Sequence, residues 1–224
     1  MSIALPRPLA AAALALACAL ALPAQQAAQQ KAAPKPAPPK AVAAPAKLGP
    51  GVYATFETSK GKFVAQLFAK DAPQTVATFI GLAQGTKPYK DPLMGNISMA
   101  KLYDGLLFFR TIRDYMIQTG DPLNNGRGTL GFTIPVEKNN LSFDQAGRMA
   151  MAQVPDDPTS RGSQVFFTVQ PAPVLDGKGY LIIGQVVEGM DVVKALSEGP
   201  RRGGATDLPL YPNVLQHVTI QTIK

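Results

Sequence analysis

An arginine embedded in an apolar and aromatic run is the feature of this sequence with the clearest chemical potential. Tyr103 to Asp121 reads YDGLLFFRTIRDYMIQTGD, setting Arg110 behind Phe108 and Phe109, with Ile112, Tyr115, Met116 and Gln118 following. A guanidinium in such surroundings is costly to desolvate without a partner. Two readings follow from spacing. One is a strand arginine neutralised by a carboxylate elsewhere in the fold. The other takes Phe108, Arg110 and Ile112 as one face of a strand, giving a greasy floor with one fixed donor. That arrangement suits an apolar substrate carrying a single polar atom.

Most other reagents of enzyme chemistry are scarce. The sequence holds one histidine, His217, and one cysteine, Cys18, so it cannot supply an HExxH motif or a paired-histidine metal site. His217 lies in an alternating run in phase with Leu215, Thr219 and Gln221, which points to a structural or surface role. Gly126 to Gly131 matches GxGxxG, and Asp144 falls 18 residues beyond Gly126. It is no dinucleotide fingerprint, because turn residues precede it where a strand is needed and Pro135 stands where a helix should run. Asp156 and Asp157, between Pro155 and Pro158, read as a solvated turn rather than a metal site.

The arginine must be held by a domain that begins well inside the chain. Arg7 precedes an apolar run from Leu9 to Leu22, closed by Pro23 and Ala24, which reads as a secretory signal peptide over residues 1–24. The run is shorter than the roughly 20 residues a membrane span needs. Cys18 loosely resembles a lipoprotein signal, the alternative to cleavage near Ala24, which would leave a mature chain without thiols and without disulfides. Residues 25–50 are Ala, Gln, Pro and Lys with five prolines between Pro34 and Pro45, a solvated tether. Five of the 22 Lys and Arg residues precede Gly51 and no acidic residue does, so 17 basic face 15 acidic in the rest, a balance of +2 that argues against a nucleic-acid partner.

From residue 51 onward the periodicity reads as a mainly β domain ending at residue 224. Val52, Ala54 and Phe56 alternate with Tyr53, Thr55 and Glu57; a turn at Ser59 to Lys62 then leads into Phe63, Ala65 and Leu67, which predicts a hairpin. Asp71-Ala72-Pro73 opens a helix with Val76, Phe79, Ile80 and Ala83 on one face and Gly85 as its stop. Met190, Val193 and Leu196 mark a second helix opening near Gly189, and Val214 to Ile223 reads as a closing strand. Many short strands with two helices predict a β-barrel capped by helices.

Three blocks make a family resemblance specific. Phe108 to Asp121 is similar to the cyclophilin signature FHRxIPxFMxQGGD, Gly162 to Phe167 (GSQVFF) resembles its GSQFFI block, and Val174 to Lys178 (VLDGK) resembles WLDGK. They occur in family order and spacing, supported by Ser59-Lys60-Gly61, Ala72 to Val76 and Glu188 to Val193. The resemblance runs from about Val52 to Lys224. On these residues the chain is identified as a member of the cyclophilin-type peptidyl-prolyl cis-trans isomerases, of the bacterial periplasmic kind. It implies a closed eight-stranded antiparallel β-barrel capped by two α-helices.

Carried over position by position, the resemblance makes Arg110 the catalytic arginine. Tyr115 (where phenylalanine is usual), Met116, Phe166 and Leu175 would form the proline pocket, and Val174 would be a further substrate-binding position. Gln118 would hold the substrate backbone, Ala150 and Met151 would flank the peptide, Gln164 would help line the site, and Tyr180 would stand near a usual histidine. Phe109 replaces the histidine of FHR, Arg113 and Asp114 replace Pro-Gly, Thr119 replaces a glycine, and Val174 replaces tryptophan, which implies weak cyclosporin binding.

The activity implied needs no cofactor and no metal. Its partners would be proline-containing polypeptides, including unfolded or exported client proteins, met in the periplasm by a monomer without a membrane span. The rivals are a proline-segment binding or chaperone module without useful turnover, and an exported β-barrel for another apolar ligand.

Overall fold

The computed structural model describes residues 48–135, 137–153, 162–202 and 207–224. The expected signal peptide with Cys18, the tether up to Lys47, and the stretch with Asp156 and Asp157 lie outside the described residues.

Alternation of apolar and polar side chains folds β1 (Gly51–Thr58) back on β2 (Gly61–Leu67) around Ser59 and Lys60. Thr58 Oγ1 secures the turn, accepting from the Lys60 amide at 3.1 Å and donating to the Gly61 carbonyl at 2.7 Å. The register sets Phe56 opposite Phe63, and their rings stack at 4.7 Å. Phe167 meets both edge-on at 5.1 Å, an aromatic centre on which the core is built.

The first helix, α1 (Pro73–Gln84), buries Val76, Phe79, Leu82 and Ala83 and lies against the last strand, β11 (Val214–Ile223). Gly85 ends it in the left-handed region at φ 72°, where an added Cβ would sit 2.6 Å from the Met99 carbonyl oxygen. Its N-terminus has no local side-chain cap, since Ala72 stands at the capping position. Glu137 supplies one from a distant loop: Oε1 accepts from the Gln74 amide at 2.9 Å, and Oε2 from the Thr75 amide at 2.8 Å and hydroxyl at 2.6 Å.

Burial pushes the Glu137 carboxyl up, but the bonds from the Thr75 hydroxyl and the two amides outweigh it and hold the group below the usual glutamate range. A lowered folded value means stability that is fully present above the unfolded value near 4.3 and is lost as pH falls from there through the lower folded value. We expect Glu137→Ala to destabilise the domain by about 1–2 kcal/mol at pH 7. Urea unfolding at pH 7 and pH 3.5 checks this: the difference between wild type and variant should shrink at the lower pH, and a constant difference would remove the charge from the account.

Two strands stand apart, β3 (Tyr89–Lys90) and β4 (Ile97–Ser98). Their neighbours along the chain are β5 (Leu106–Leu107), β6 (Arg110–Ile112) and β7 (Met116–Thr119). Beyond them come β8 (Arg148–Met151), β9 (Val165–Thr168) and β10 (Leu181–Glu188), then α2 (Met190–Ser197), which packs on β2, β6 and β7. The main sheet is wholly antiparallel, in the order β5-β11-β1-β2-β10-β8-β9-β7-β6.

This sheet corrects the expected strand count while keeping the architecture. Among the described residues it has nine strands, not eight, and its two outermost members, β5 and β6, are pieces of one segment parted by Phe108 and Phe109. The curled sheet is therefore joined edge to edge by the chain itself rather than by a hydrogen-bonded ladder. The last strand also departs from simple alternation. Glu57 pairs with His217 but Thr58 with Leu215, so a bulge at Gln216 brings Leu215 and Val218 to the core and leaves His217 exposed, 3.1 Å from Asp104 through Nδ1.

Candidate active site

One row of cross-strand neighbours brings the separated sequence blocks together. Arg110 on β6 faces Gln118 on β7, Gln118 faces Phe166 on β9, Phe166 faces Ala150 on β8, and Ala150 faces Ile182 on β10. Directly opposed residues share a face of a pleated sheet, so this row lies on the face away from the main core. The adjacent row, Thr111, Ile117, Phe167 and Met149, points the other way and is wholly buried.

The first three members of the first row, Arg110, Gln118 and Phe166, reach a cleft of about 600 Å³. Arg110, Tyr115, Met116, Gln118, Phe166, Leu175 and Tyr180 line it, as do Phe109, Ala152, Gln153, Lys178, Leu208 and the loop Asn125-Gly126-Arg127. Phe166 is fixed from two sides, stacked on Phe143 at 5.9 Å and meeting Tyr180 edge-on at 5.3 Å. Beneath lies an apolar cluster separate from the main core, containing Met116, Phe143, Ala150, Phe166, Leu175 and Ile182.

At one end of this apolar floor stands the guanidinium. Its Nε and Nη2 donate to Asp207 Oδ2 at 3.0 and 2.8 Å, and Nη1 lies 3.5 Å from Gln118 Oε1. The ion-paired reading holds, and of the shared-face reading Arg110 does face the cleft, but Phe108 does not join it there. Gln118 Nε2 in turn donates to Gln164 Oε1 at 2.9 Å, so an amide chain ties the arginine row to the second block. Burial holds the Tyr115 phenol above its usual value, Tyr180 beside it adds to the effect and Arg110 opposes it; the hydroxyl stays protonated and can donate at neutral pH.

Local chemistry sets these positions. The β6–β7 turn runs through Arg113 and Asp114, with Asp114 at φ 55°, a left-handed conformation that aspartate tolerates better than most residues. The Tyr115 amide closes it on the Ile112 carbonyl at 3.0 Å. Past β7, the fully buried Asp121 gathers the amides of Leu123, Asn125 and Gly126 at 2.8, 2.9 and 2.5 Å, which shapes the loop at the cleft's edge. This is the use of the glycine-rich stretch discounted above as a dinucleotide motif. Tyr103, buried beneath, donates to the Ser163 carbonyl at 2.9 Å, and Ser163 Oγ to the Gly120 carbonyl at 2.5 Å, binding the first block to the second.

Several expected positions move. Phe108 is fully buried in the main core and Phe109 takes its place on the cleft, because the break between β5 and β6 resets the alternation. Met151 points into the main core, and Ala150 lies under Phe166; the residues at the cleft are Ala152 and Gln153, two positions further on. Strand phase is the signal that would have found them, since Ala150 and Ala152 share a face where β8 ends. Gln164 is 3% exposed and acts behind Gln118 rather than on the wall. Val174, in a short 3-10 turn at Pro173–Leu175, is 59% exposed and faces away, leaving Leu175 as that turn's contribution. Lys178 and Arg127 lay in motifs noted in the sequence without being assigned to the site, and Asn125, Asp207 and Leu208 carried no sequence signal.

Residues 53–223 match the family model described as cyclophilin type peptidyl-prolyl cis-trans isomerase/CLD. Peptidyl-prolyl cis-trans isomerase B of Streptomyces anulatus is 39% identical over 174 residues, covering 76% of this chain and 97% of that protein. Peptidyl-prolyl cis-trans isomerase A of Mycobacterium tuberculosis is 39% identical over 170 residues, covering 75% and 91%. The crystal structure of a Cryptosporidium parvum cyclophilin type peptidyl-prolyl cis-trans isomerase in the presence of the dipeptide Ala-Pro shares the fold. It has a TM-score of 0.63 at 24% identity, over 76% of this chain and 99% of that one.

Proposed function

The chain belongs to the cyclophilin-type peptidyl-prolyl cis-trans isomerases, and on that premise we propose that its cleft turns the X-Pro bond with Arg110 as the catalytic donor. The observation that carries the assignment is the row Arg110, Gln118 and Phe166: a charged donor, an amide and an aromatic floor side by side on three adjacent strands.

The imide bond before proline is held by resonance of its nitrogen lone pair with the carbonyl, a barrier of roughly 20 kcal/mol. No covalent bond needs to break. Met116, Phe166 and Leu175 grip the proline ring, Tyr115 and Tyr180 close the sides, and Gln118 with the chain at Ala152 and Gln153 holds the flanking backbone. As the bond twists, the nitrogen becomes pyramidal and its lone pair becomes an acceptor for an Arg110 N–H. That bond is strongest at the top of the barrier, so it favours the transition state over either isomer. Each tenfold acceleration takes about 1.4 kcal/mol, and one preorganised donor supplies about 3 kcal/mol. The remainder falls to restricted rotation and removal of water from the imide.

A protease-coupled assay with a proline tetrapeptide tests the activity. Isomerisation well above the spontaneous rate is the expected result; tight peptide binding at the spontaneous rate would favour the binding-module rival. Inhibition by cyclosporin should be weak, with a Ki above about 1 μM. Val174 stands where the resemblance places a tryptophan and faces solvent, so it offers neither indole donor nor aromatic area. Nanomolar inhibition would overturn that reading.

We further propose that the enzyme acts as a monomer in the periplasm on exported polypeptides, which the apolar run and proline-rich tether support. Mass analysis of the mature N-terminus distinguishes cleavage near Ala24 from lipidation at Cys18; an unprocessed chain confined to the cytoplasm would refute export.

A further inference from the structure

We propose that Asp207 is a positioning residue for the isomerisation, holding one edge of the Arg110 guanidinium so that the other edge points at the imide. The proposal rests on the assignment of Arg110 as the catalytic donor. Asp207 comes from a segment far along the chain, between α2 and β11, whose two limbs are tied together. The Arg202 amide donates to the Leu208 carbonyl at 2.9 Å, the Leu210 amide to the Pro200 carbonyl at 2.7 Å, and Arg201 forms a bridge with Pro209.

Asp207 holds Arg110 at two points. Its carbonyl accepts from the Thr111 amide at 3.0 Å, which fixes its backbone beside β6 at the residue after the arginine. Its carboxylate then turns back, and Oδ2 accepts from Nε and Nη2 of Arg110 at 3.0 and 2.8 Å. Oδ1 lies 3.7 Å from Arg201 Nη1, a looser contact on the far side.

A guanidinium presents five N–H groups in a rigid fork. Asp207 engages the Nε edge, leaving the Nη1 hydrogens toward Gln118 and the cleft. The Arg110 side chain is 42% exposed, so packing alone does not hold its long stem in one rotamer. Without the carboxylate the fork would swing among several rotamers, and only a fraction would place Nη1 over the imide nitrogen. The effect should appear in kcat, because the donor is needed at the transition state, rather than in KM, which the apolar floor sets.

The test compares Asp207→Ala and Asp207→Asn with wild type, and repeats Asp207→Ala in an Arg110→Ala background. We expect Asp207→Ala to lower kcat about tenfold with KM within about twofold, and Asp207→Asn, whose amide oxygen still accepts from the fork, to fall between. In the Arg110→Ala background the further loss should vanish, because nothing remains to be positioned. Broadening of the Arg110 Nε–H resonance in Asp207→Ala would report the freed side chain directly. An unchanged kcat, a raised kcat, or an equal loss in both backgrounds would overturn the proposal. Near-normal turnover by Arg110→Ala alone would instead refute the assignment on which it rests.

Discussion

Replacing Arg110 by alanine should lower kcat/KM on a proline peptide by about 100-fold or more, the loss associated with removing one preorganised donor from a transition state. The fold should survive, because the side chain is partly exposed and its ion pair with Asp207 sits at the surface, where such pairs add about 1 kcal/mol or less. Arg110→Lys separates charge from geometry. A lysine keeps the cation but cannot hold Asp207 with one edge of a fork while offering the other to the substrate. It should therefore recover only a small part of the activity. Circular dichroism and the coupled assay on the same preparations check both halves, and a folded Arg110→Ala with near-normal turnover would end the proposed mechanism.

The second large effect is expected at Phe166, where function and stability meet. Its ring lies between Phe143 and Tyr180 and forms the floor of the cleft, so Phe166→Ala removes both a buried aromatic contact and the surface for the proline ring. We expect a loss of about 3 kcal/mol, a fall in the thermal midpoint of roughly 10 °C, and a rise in KM of at least about tenfold. Phe143→Ala is the control. Phe143 is equally buried in the same cluster but does not reach the cleft, so it should cost similar stability with a much smaller change in KM. Equal effects of the two variants on KM would mean that Phe166 acts only through the core.

Much of the framework was legible because it depends on neighbours along the chain. The β1–β2 hairpin, the stop of α1 at Gly85 and the span of β11 follow from period-two alternation, proline at a first helical turn and glycine at a left-handed stop. These are local steric and solvation preferences, read within a dozen residues. Arg110, Tyr115, Met116, Gln118, Phe166, Leu175 and Tyr180 were likewise identifiable, and the fold brings all seven to one cleft. The misplaced positions have two causes. Phe108 was placed with Arg110, and His217 in phase with Leu215, by extending a strand's phase across a break or a bulge, and one extra residue turns every later side chain to the other face; Ala150 and Met151 came from the resemblance, which does not say which face β8 turns to the cleft.

By itself, then, the sequence determined the first hairpin, the two helices, the closing strand and the family to which they belong, and it singled out the arginine proposed as the catalytic donor. Only the tertiary structure decided what surrounds that arginine. Asp207 reaches Arg110 across 97 residues and Glu137 caps α1 across 62, pairings that no local pattern encodes. Their energetics depend on charge and hydrogen-bonding groups meeting in space, and the order in which the sheet curls sets which groups meet. The arginine that began as a costly residue in an apolar run is stabilised by a carboxylate from the far end of the domain, and the same contact leaves one edge of its fork turned to the cleft.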